Sequence, residues 1–181
     1  IPVYGTKLTL ALVEGKLREH HLLGKVKLNI VQPKQTVKLG CMAVEFIHVN
    51  HSIPDAVGMA IHTPAGVIVH TGDFKVDYTP ISGKPIDLAR FGELGSKGVL
   101  ALLADSTNAE RPGYTQSERT VGESFDKLFS KAEGKRIIIA TFSSNIYRVQ
   151  QIIDCAARYG RKVAVFGRSM TNVMTIAIEQ G

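Results

Sequence analysis

Residues 43–73, AVEFIHVNHSIPDAVGMAIHTPAGVIVHTGD, decide the first part of the fold, because three apolar runs in them are separated by short polar turns. Each run has the length of a β-strand, and Pro64, Ala65 and Gly66 between the last two are typical of a hairpin turn. Two shorter runs precede this stretch. The predicted strands are 26–31, 36–39, 43–49, 57–63 and 67–71. Five short strands in succession predict a mainly antiparallel sheet.

The segments on either side of these strands predict a helix, a connection and a further strand. The spacing of leucines predicts a helix over 6–20. Residues 77–98 are rich in Gly, Pro and Ser, which indicates a long surface connection. The continuous apolar run 99–104 is typical of a strand that is buried on both faces.

The last third of the chain has a different rhythm. Strands are predicted at 136–142 and 162–166, and helices at 144–159 and 169–180. Strands that alternate with helices are typical of a parallel sheet with crossover connections. We therefore predict an α/β fold with two domains, of which the first comprises residues 1–117 and the second residues 118–181.

The composition excludes several classes of protein. The chain has 181 residues, 44% of them hydrophobic, with 22 Lys and Arg against 16 Asp and Glu, which is ordinary globular composition and rules out collagen-like, coiled-coil and disordered chains. No apolar run approaches the roughly 18–20 residues that span a bilayer. Cys41 and Cys155 are far apart, which excludes a disulfide scaffold or zinc finger and predicts an intracellular protein. The net charge of +6 is compatible with nucleic acid as a partner, and equally with a basic surface that has no such partner.

Candidate metal ligands follow two of the predicted strands. His51 comes after the strand 43–49, and Asp73 follows the strand 67–71, so both lie at carboxyl ends of strands, where sites commonly form. Imidazole and carboxylate together suit zinc or manganese. The alternative is that both are turn residues with local hydrogen bonds. His48, His62 and His70 lie within strands, and we expect them to have structural or supporting roles.

Two later positions also suggest a site. Asp105 ends the apolar run 99–104, and it is either a site carboxylate or a cap of the turn that follows. Ser143, Ser144 and Asn145 lie between a predicted strand and its helix, where free N–H groups and the helix dipole favour an anion. Ser144 as a simple helix cap is the alternative, and it does not exclude phosphate binding.

Four motifs give the chain a family resemblance. They are HSIPD at 51–55, HTGDFK at 70–75, ADSTNAE at 104–110 and TFSSNI at 141–146. The opening IPVYGT and the later GRSM at 167–170 agree with them. Together, and in this order, these motifs resemble ribonuclease J, a family of bacterial nucleases of the metallo-β-lactamase superfamily with an inserted β-CASP domain.

The resemblance implies a role for each candidate residue. His51 would be the metal ligand of the third superfamily motif, and Asp73 the carboxylate of the fourth that bridges two divalent ions, zinc in the first place, with manganese or magnesium as alternatives. Asp105 would be the acidic residue of the first β-CASP motif. Ser144, with Ser143 and Asn145, would hold a substrate phosphate.

The resemblance also implies that the chain is an internal fragment. It would contain part of the metallo-β-lactamase αββα sandwich and then the first βαβα part of a Rossmann-like β-CASP domain. The family's His-x-His-x-Asp-His motif would lie upstream of Ile1, and the later β-CASP motifs beyond Gly181. The metal site would therefore be incomplete here, and the fragment alone is expected to be inactive and to bind metal weakly.

The function implied for the full-length protein is hydrolysis of RNA by two metal ions in the cytoplasm. Removal of nucleotides from the 5′ end and internal cleavage are both expected, in a homo-oligomer or with a paralogous ribonuclease J subunit. Two alternatives remain at this point. One is a non-catalytic paralogue that binds RNA or a nuclease as a scaffold, and the other is a different metallo-β-lactamase hydrolase.

Overall fold

The structure, a computed structural model, describes residues 1–180. Its strands are β1 (Pro2–Gly5), β2 (Lys27–Ile30), β3 (Thr36–Leu39), β4 (Met42–His48), β5 (Val57–Thr63), β6 (Gly66–His70) and β7 (Ala101–Leu103). Its α-helices are α1 (Lys7–Glu19), α2 (Leu88–Lys97), α3 (Arg119–Ser130), α4 (Ile146–Arg158) and α5 (Arg168–Gln180). A single 3₁₀ turn, Leu23–Lys25, precedes β2. The predicted mixed α/β class is confirmed.

The main sheet has five strands in the order β3-β4-β5-β6-β7. The first four pair antiparallel, as the alternating runs and the hairpin turn predicted, and β7 then pairs parallel to β6. Strands β4, β6 and β7 consequently run in one direction, and their carboxyl ends meet at the same edge of the sheet. We call this edge, with the turns that follow these three strands, the strand edge.

The first predicted strand does not belong to the main sheet. Strand β2 pairs parallel to β1, which the sequence did not predict, in a separate two-stranded sheet. Helix α1 connects the two strands, and a parallel pair needs such a crossover. The prediction of five strands in one sheet was therefore wrong for residues 26–31, although the strand itself is present.

The predicted surface connection 77–98 contains helix α2. Its first turn is capped by Asp87, whose Oδ1 accepts a hydrogen bond of 3.1 Å from the backbone N–H of Arg90. Phe91 and Leu94 face the sheet, where Leu94 is buried with other side chains of the first core. That core consists of Ile47, Ala60, Val69 and Leu94. The prediction of a connection without secondary structure was therefore wrong for the residues of α2. The glycines and prolines of the segment favoured a loop, and the apolar face of the helix is short.

The run 99–104 was predicted to be buried on both faces, and this was wrong. Strand β7 is an edge strand with β6 as its hydrogen-bonded neighbour in residues 1–180, and Leu100 and Leu102 are 60% and 63% exposed. The apolar run is a strand, but the described part of the chain places no second layer over it.

The predicted helices of the last third are present, but the predicted strands 136–142 and 162–166 are not. A strand requires a hydrogen-bonded neighbour, and neither segment pairs with another within residues 1–180. Ile137 and Ile139 instead pack against a second core, which lies between α3 and α4. That core consists of Phe125, Phe129, Cys155 and Ala156.

The first core is formed by residues between 47 and 94, and the second by residues between 125 and 156. The domain boundary at residue 117 stays a prediction. Among the described residues, no helix combines the length and the apolar character that crossing a membrane requires.

Candidate active site

The topology of the sheet brings three predicted residues to the strand edge. His51 lies three residues after β4, Asp73 three residues after β6, and Asp105 two residues after β7. The backbone pairing of His70 with Leu103 aligns the ends of β6 and β7. The common direction of these three strands therefore places three residues that are far apart in sequence at the same edge of the sheet.

Asp73 projects from a turn that requires glycine. Gly72 has φ of 63°, and a Cβ at this position would lie 2.6 Å from the backbone oxygen of Val57. The N–H of Gly72 donates to Nδ1 of His70 at 3.0 Å, so the His70 ring holds the backbone of this turn. The chain thus turns sharply at the end of β6 and leaves the Asp73 side chain exposed beyond it.

Asp105 is held beside this turn by Thr71, which the sequence analysis did not single out. The backbone N–H of Asp105 donates to Oγ1 of Thr71 at 3.0 Å, and the same hydroxyl donates to the carbonyl oxygen of Gly72 at 2.7 Å. Thr71 is buried, at 8% exposure. The signal that could have revealed it is a hydroxyl residue directly before a Gly-Asp pair at the end of a strand.

The Asp105 carboxylate caps its own turn, which is one of the two alternatives that the sequence left open. Its Oδ1 accepts hydrogen bonds from the hydroxyl of Thr107 at 2.6 Å and from its backbone N–H at 3.0 Å. These two bonds lower the pKa of Asp105 below its ordinary value, and a backbone hydrogen bond from Phe74 acts in the same direction. Asp105 therefore stays ionised and lies close to both other turns of the strand edge.

His51 is half-buried, and its Nδ1 lies 3.4 Å from Oγ of Ser52. Its imidazole and the carboxylate of Asp73 are donor types that zinc and manganese accept. Within residues 1–180, no three side chains of His, Cys, Asp or Glu are grouped to hold a metal ion. The donor chemistry fits such an ion, while the number of grouped donors is below the roughly three that a catalytic zinc requires.

The second part of the candidate site is the amino-terminal end of α4. Asn145, not Ser144, is the helix cap, since its Oδ1 accepts from the backbone N–H of Arg148 at 3.1 Å. Asn145 is buried at 7% exposure, whereas the side chain of Ser144 is exposed. The hydroxyl of Ser144 is therefore not used for capping, and Ser143 beside it is half-buried.

The first turn of α4 lies near the turn that follows His51. Burial, and then the negative charge of Asp55, raise the pKa of Tyr147 above its ordinary value. Asp55 has φ of 61°, in the left-handed region, and belongs to the HSIPD turn. The helix end predicted to bind phosphate is thus within electrostatic reach of a strand-edge turn. Asp105, in contrast, caps its own turn and forms no hydrogen bond with the described part of this helix end.

Comparison with known proteins finds similarity to ribonuclease J. Residues 134–181 match the family described as ribonuclease J, beta-CASP domain. The chain is 49% identical over 180 residues to ribonuclease J of Synechocystis, and 47% identical over 183 residues to ribonuclease J of Thermus thermophilus. It is 47% identical over 182 residues to ribonuclease J2 of Bacillus subtilis. These alignments cover 99–100% of this chain and 28–32% of the relatives.

A solved structure is similar in fold. A protein of unknown function from Enterococcus faecalis V583 aligns with a TM-score of 0.63 at 18% identity, over 85% of this chain and 39% of that protein. This likeness concerns the fold alone. The sequence comparisons confirm the resemblance that the four motifs predicted: over its whole length this chain is similar to a segment that makes up about three tenths of ribonuclease J.

Proposed function

We propose that the protein to which this chain belongs is a metal-dependent ribonuclease that hydrolyses phosphodiester bonds of RNA. The observation that carries the proposal is the identity of 47–49% to ribonuclease J over the whole chain. The convergence of His51, Asp73 and Asp105 at one edge of the sheet supports it, because these residues belong to three of the four motifs.

In this proposal the strand edge supplies part of a centre for two divalent ions. His51 and Asp73 would be ligands, for zinc or, as alternatives, manganese or magnesium. When bound, such ions lower the pKa of water and stabilise the charge that develops on the phosphate. Gly72 presents the Asp73 carboxylate beyond the end of β6. Asp105, which its hydrogen bonds with Thr107 keep ionised, would place a negative charge near the His51 turn.

The amino-terminal end of α4 is proposed to bind a substrate phosphate. The exposed hydroxyl of Ser144 can donate to a phosphate oxygen, and the helix dipole favours an anion there. Ser143 is adjacent, while Asn145 would act through the backbone because its side chain already caps the helix. Capture of a terminal 5′ phosphate here would direct stepwise removal of nucleotides, and internal cleavage would proceed without it.

The same proposal assigns a fold family to each of the two predicted domains. The five-stranded sheet with α2 on one face would be part of a metallo-β-lactamase αββα sandwich over residues 1–117. Residues 118–181 would begin a β-CASP domain, and the family match of residues 134–181 supports this. The same match weighs against a metallo-β-lactamase hydrolase of thioesters or lactams, since such enzymes have no β-CASP domain.

The proposed partners are RNA and a second subunit in the cytoplasm. The second subunit would be another copy or a paralogue. The numbered names of two relatives, ribonuclease J 1 of Streptococcus pyogenes and ribonuclease J2 of Bacillus subtilis, support the paralogue, and the exposed strand β7 offers an edge for pairing.

The test uses the full-length protein and a 5′-monophosphorylated RNA. We expect degradation that a chelator abolishes, and a loss of at least about a hundredfold in Asp73→Asn, because a ligand that serves two ions fixes both. His51→Ala should lose less activity than Asp73→Asn, and His62→Ala, inside the sheet, much less than either. Asp154→Asn, an exposed carboxylate on α4, is the matched control.

Two results would contradict the proposal. One is a full-length protein that binds RNA without cutting it, which identifies a scaffold. The other is an Asp73→Asn variant with the activity and metal content of the control.

A further inference from the structure

A chain of charged side chains connects the strand edge with the helices of the last third. It consists of Lys75, Asp77, Glu118 and Arg148, and we call it the charged link. None of these residues belongs to the proposed metal or phosphate site. All four are buried or half-buried, and side-chain exposure is 5% for Asp77 and 31% for Arg148.

The first end of the link is fixed to the strand edge. Lys75 lies two residues after Asp73, and its backbone N–H donates to the carbonyl oxygen of Asn50 at 2.7 Å, in an isolated bridge that ties it to the residue before His51. The side chain of Asn50 is itself held, since its Oδ1 accepts from the N–H of Ile86 at 2.7 Å. Lys75 is therefore attached to the turns that carry both proposed ligands.

The next member, Asp77, binds the residues directly before α3, which are distant in sequence. Its Oδ2 accepts from the hydroxyl of Ser117 at 2.9 Å and from the N–H of Glu118 at 3.2 Å, directly before α3. Its Oδ1 accepts from the N–H of Thr79 at 3.0 Å, and Nζ of Lys75 lies 3.9 Å from Oδ2. A buried carboxylate with this many donors has its charge compensated locally.

Glu118 connects Lys75 to α4 through an ion pair with Arg148. Its Oε1 accepts from Nε of Arg148 at 2.8 Å and lies 2.6 Å from a second guanidinium nitrogen, which makes the contact a two-point one. Its Oε2 lies 3.8 Å from Nζ of Lys75. The backbone N–H of Arg148 is the one that Asn145 caps, so the link ends one turn from Ser144.

We propose that the charged link is a positioning device that fixes the distance between the strand edge and the amino-terminal end of α4. The effect of the link on cleavage, but not the link itself, rests on the proposed function. That effect comes from the spacing between a bound 5′ phosphate and the bond that is cut, so a rigid link favours removal of terminal nucleotides over internal cleavage.

The matched pair of variants is Glu118→Gln and Asp126→Asn in the full-length protein. Both substitutions remove a carboxylate charge that pairs with an arginine of α4, but the partner of Asp126 is Arg158, at 3.2 Å on an exposed surface away from the link. Arg148→Lys keeps a cation and loses the two-point contact, so it should behave as a weaker form of Glu118→Gln.

The first measurement does not depend on RNA. Spin labels are placed on the exposed Cys41 and on an Ala157→Cys substitution at the exposed side of α4, in a background where other exposed cysteines are serine. Cys155 is buried, and burial raises the pKa of its thiol, so it should not be labelled. We expect the distance distribution to broaden in Glu118→Gln and to stay unchanged in Asp126→Asn.

The second measurement compares terminal removal with internal cleavage on matched 5′-monophosphorylated RNA. The ratio of the two rates should fall about tenfold in Glu118→Gln, with metal content unchanged. An unchanged distance distribution overturns the inference whatever the activity, and a broadened distribution with an unchanged ratio overturns its consequence for cleavage. An inactive wild-type protein whose distribution broadens on substitution contradicts the proposed function and supports the link.

Discussion

The backbone N–H of Asp105 donates a hydrogen bond of 3.0 Å to the side-chain hydroxyl of Thr71. This bond joins the turn after β7, which carries Asp105, to the turn after β6, which carries Asp73. Since Thr71 is buried and Asp105 is half-buried, the bond is partly shielded from water and fixes one turn relative to the other.

Thr71→Val should therefore destabilise the protein and displace Asp105. The substitution keeps the shape of the side chain and removes the hydroxyl, which leaves the partly buried N–H of Asp105 without its acceptor. We expect a loss of about 1–3 kcal/mol in the free energy of unfolding, measured by urea denaturation. Thr71→Ser retains the hydroxyl and is the control. Equal stability of the valine and serine variants would show that the bond does not matter.

Gly72→Ala should destabilise the protein more than Gly40→Ala. Both glycines have φ of 63°, so both substitutions carry the same backbone strain, but a Cβ at Gly72 would meet the oxygen of Val57 at 2.6 Å, whereas nothing lies within 4 Å at Gly40. We expect about 1 kcal/mol for Gly40→Ala and at least twice that for Gly72→Ala. Differential scanning calorimetry of the two variants tests this comparison directly. A cost at Gly72 no greater than at Gly40 would mean that the turn can shift.

Stability should fall in acid partly through Glu45. Hydrogen bonds from Arg90 at 2.6 and 2.9 Å lower the pKa of Glu45 despite its burial, and His62 adds to the effect. A carboxyl with a lowered folded-state pKa stabilises fully above its unfolded pKa, and this contribution is lost as the pH falls through the folded-state value. The free energy of unfolding between about pH 6 and about pH 3 should therefore decrease less steeply in Glu45→Gln. Parallel curves for the two proteins would contradict this role.

Ser144→Ala should weaken capture of 5′-monophosphorylated RNA in the full-length protein about ten- to a hundredfold, the effect of losing about 1.4–2.8 kcal/mol of hydrogen bonding to a charged phosphate. The loss should be larger for terminal removal than for internal cleavage, because a diester carries less charge than a terminal phosphate. Metal content should be unchanged. Ser82→Ala, in an exposed loop, is the control. Equal losses in both activities would show that Ser144 does not hold the terminal phosphate.

Sequence periodicity predicted the parts of the fold that depend on local patterns. The antiparallel strands from 36 to 70 and the helices α1, α4 and α5 were found close to their predicted bounds. The apolar runs 136–142 and 162–166 look like strands in sequence, but a strand is defined by its neighbour, and periodicity does not report one. Helix α2 was not predicted, because the glycines at 92 and 95 are unfavourable in a helix. The cap at Asp87 and the helical spacing of Phe91 and Leu94 were weaker signals in the sequence.

The sequence indicated only the primary residues of the candidate site. A His or Asp soon after an apolar run can be recognised in the sequence, and the structure places His51, Asp73 and Asp105 at the same edge of the sheet, while their roles stay predictions. Contacts such as Glu118 with Arg148, or Asp77 with Ser117, join residues 30 and 40 positions apart. Their existence depends on how the elements pack, which no local pattern encodes.

The parallel pairing of β6 with β7 has a consequence for the order of folding. The hairpins of β3 to β6 close turns of two to eight residues, whereas β7 pairs with β6 only after the 30 residues from 71 to 100 have returned through α2. Closing that longer loop is entropically costlier, so β7 should dock after the hairpins have formed. Asp105 would then reach the strand edge in a late step of folding. A slow refolding phase should therefore reflect the docking of β7 and the turn that follows it, and not the formation of the antiparallel hairpins.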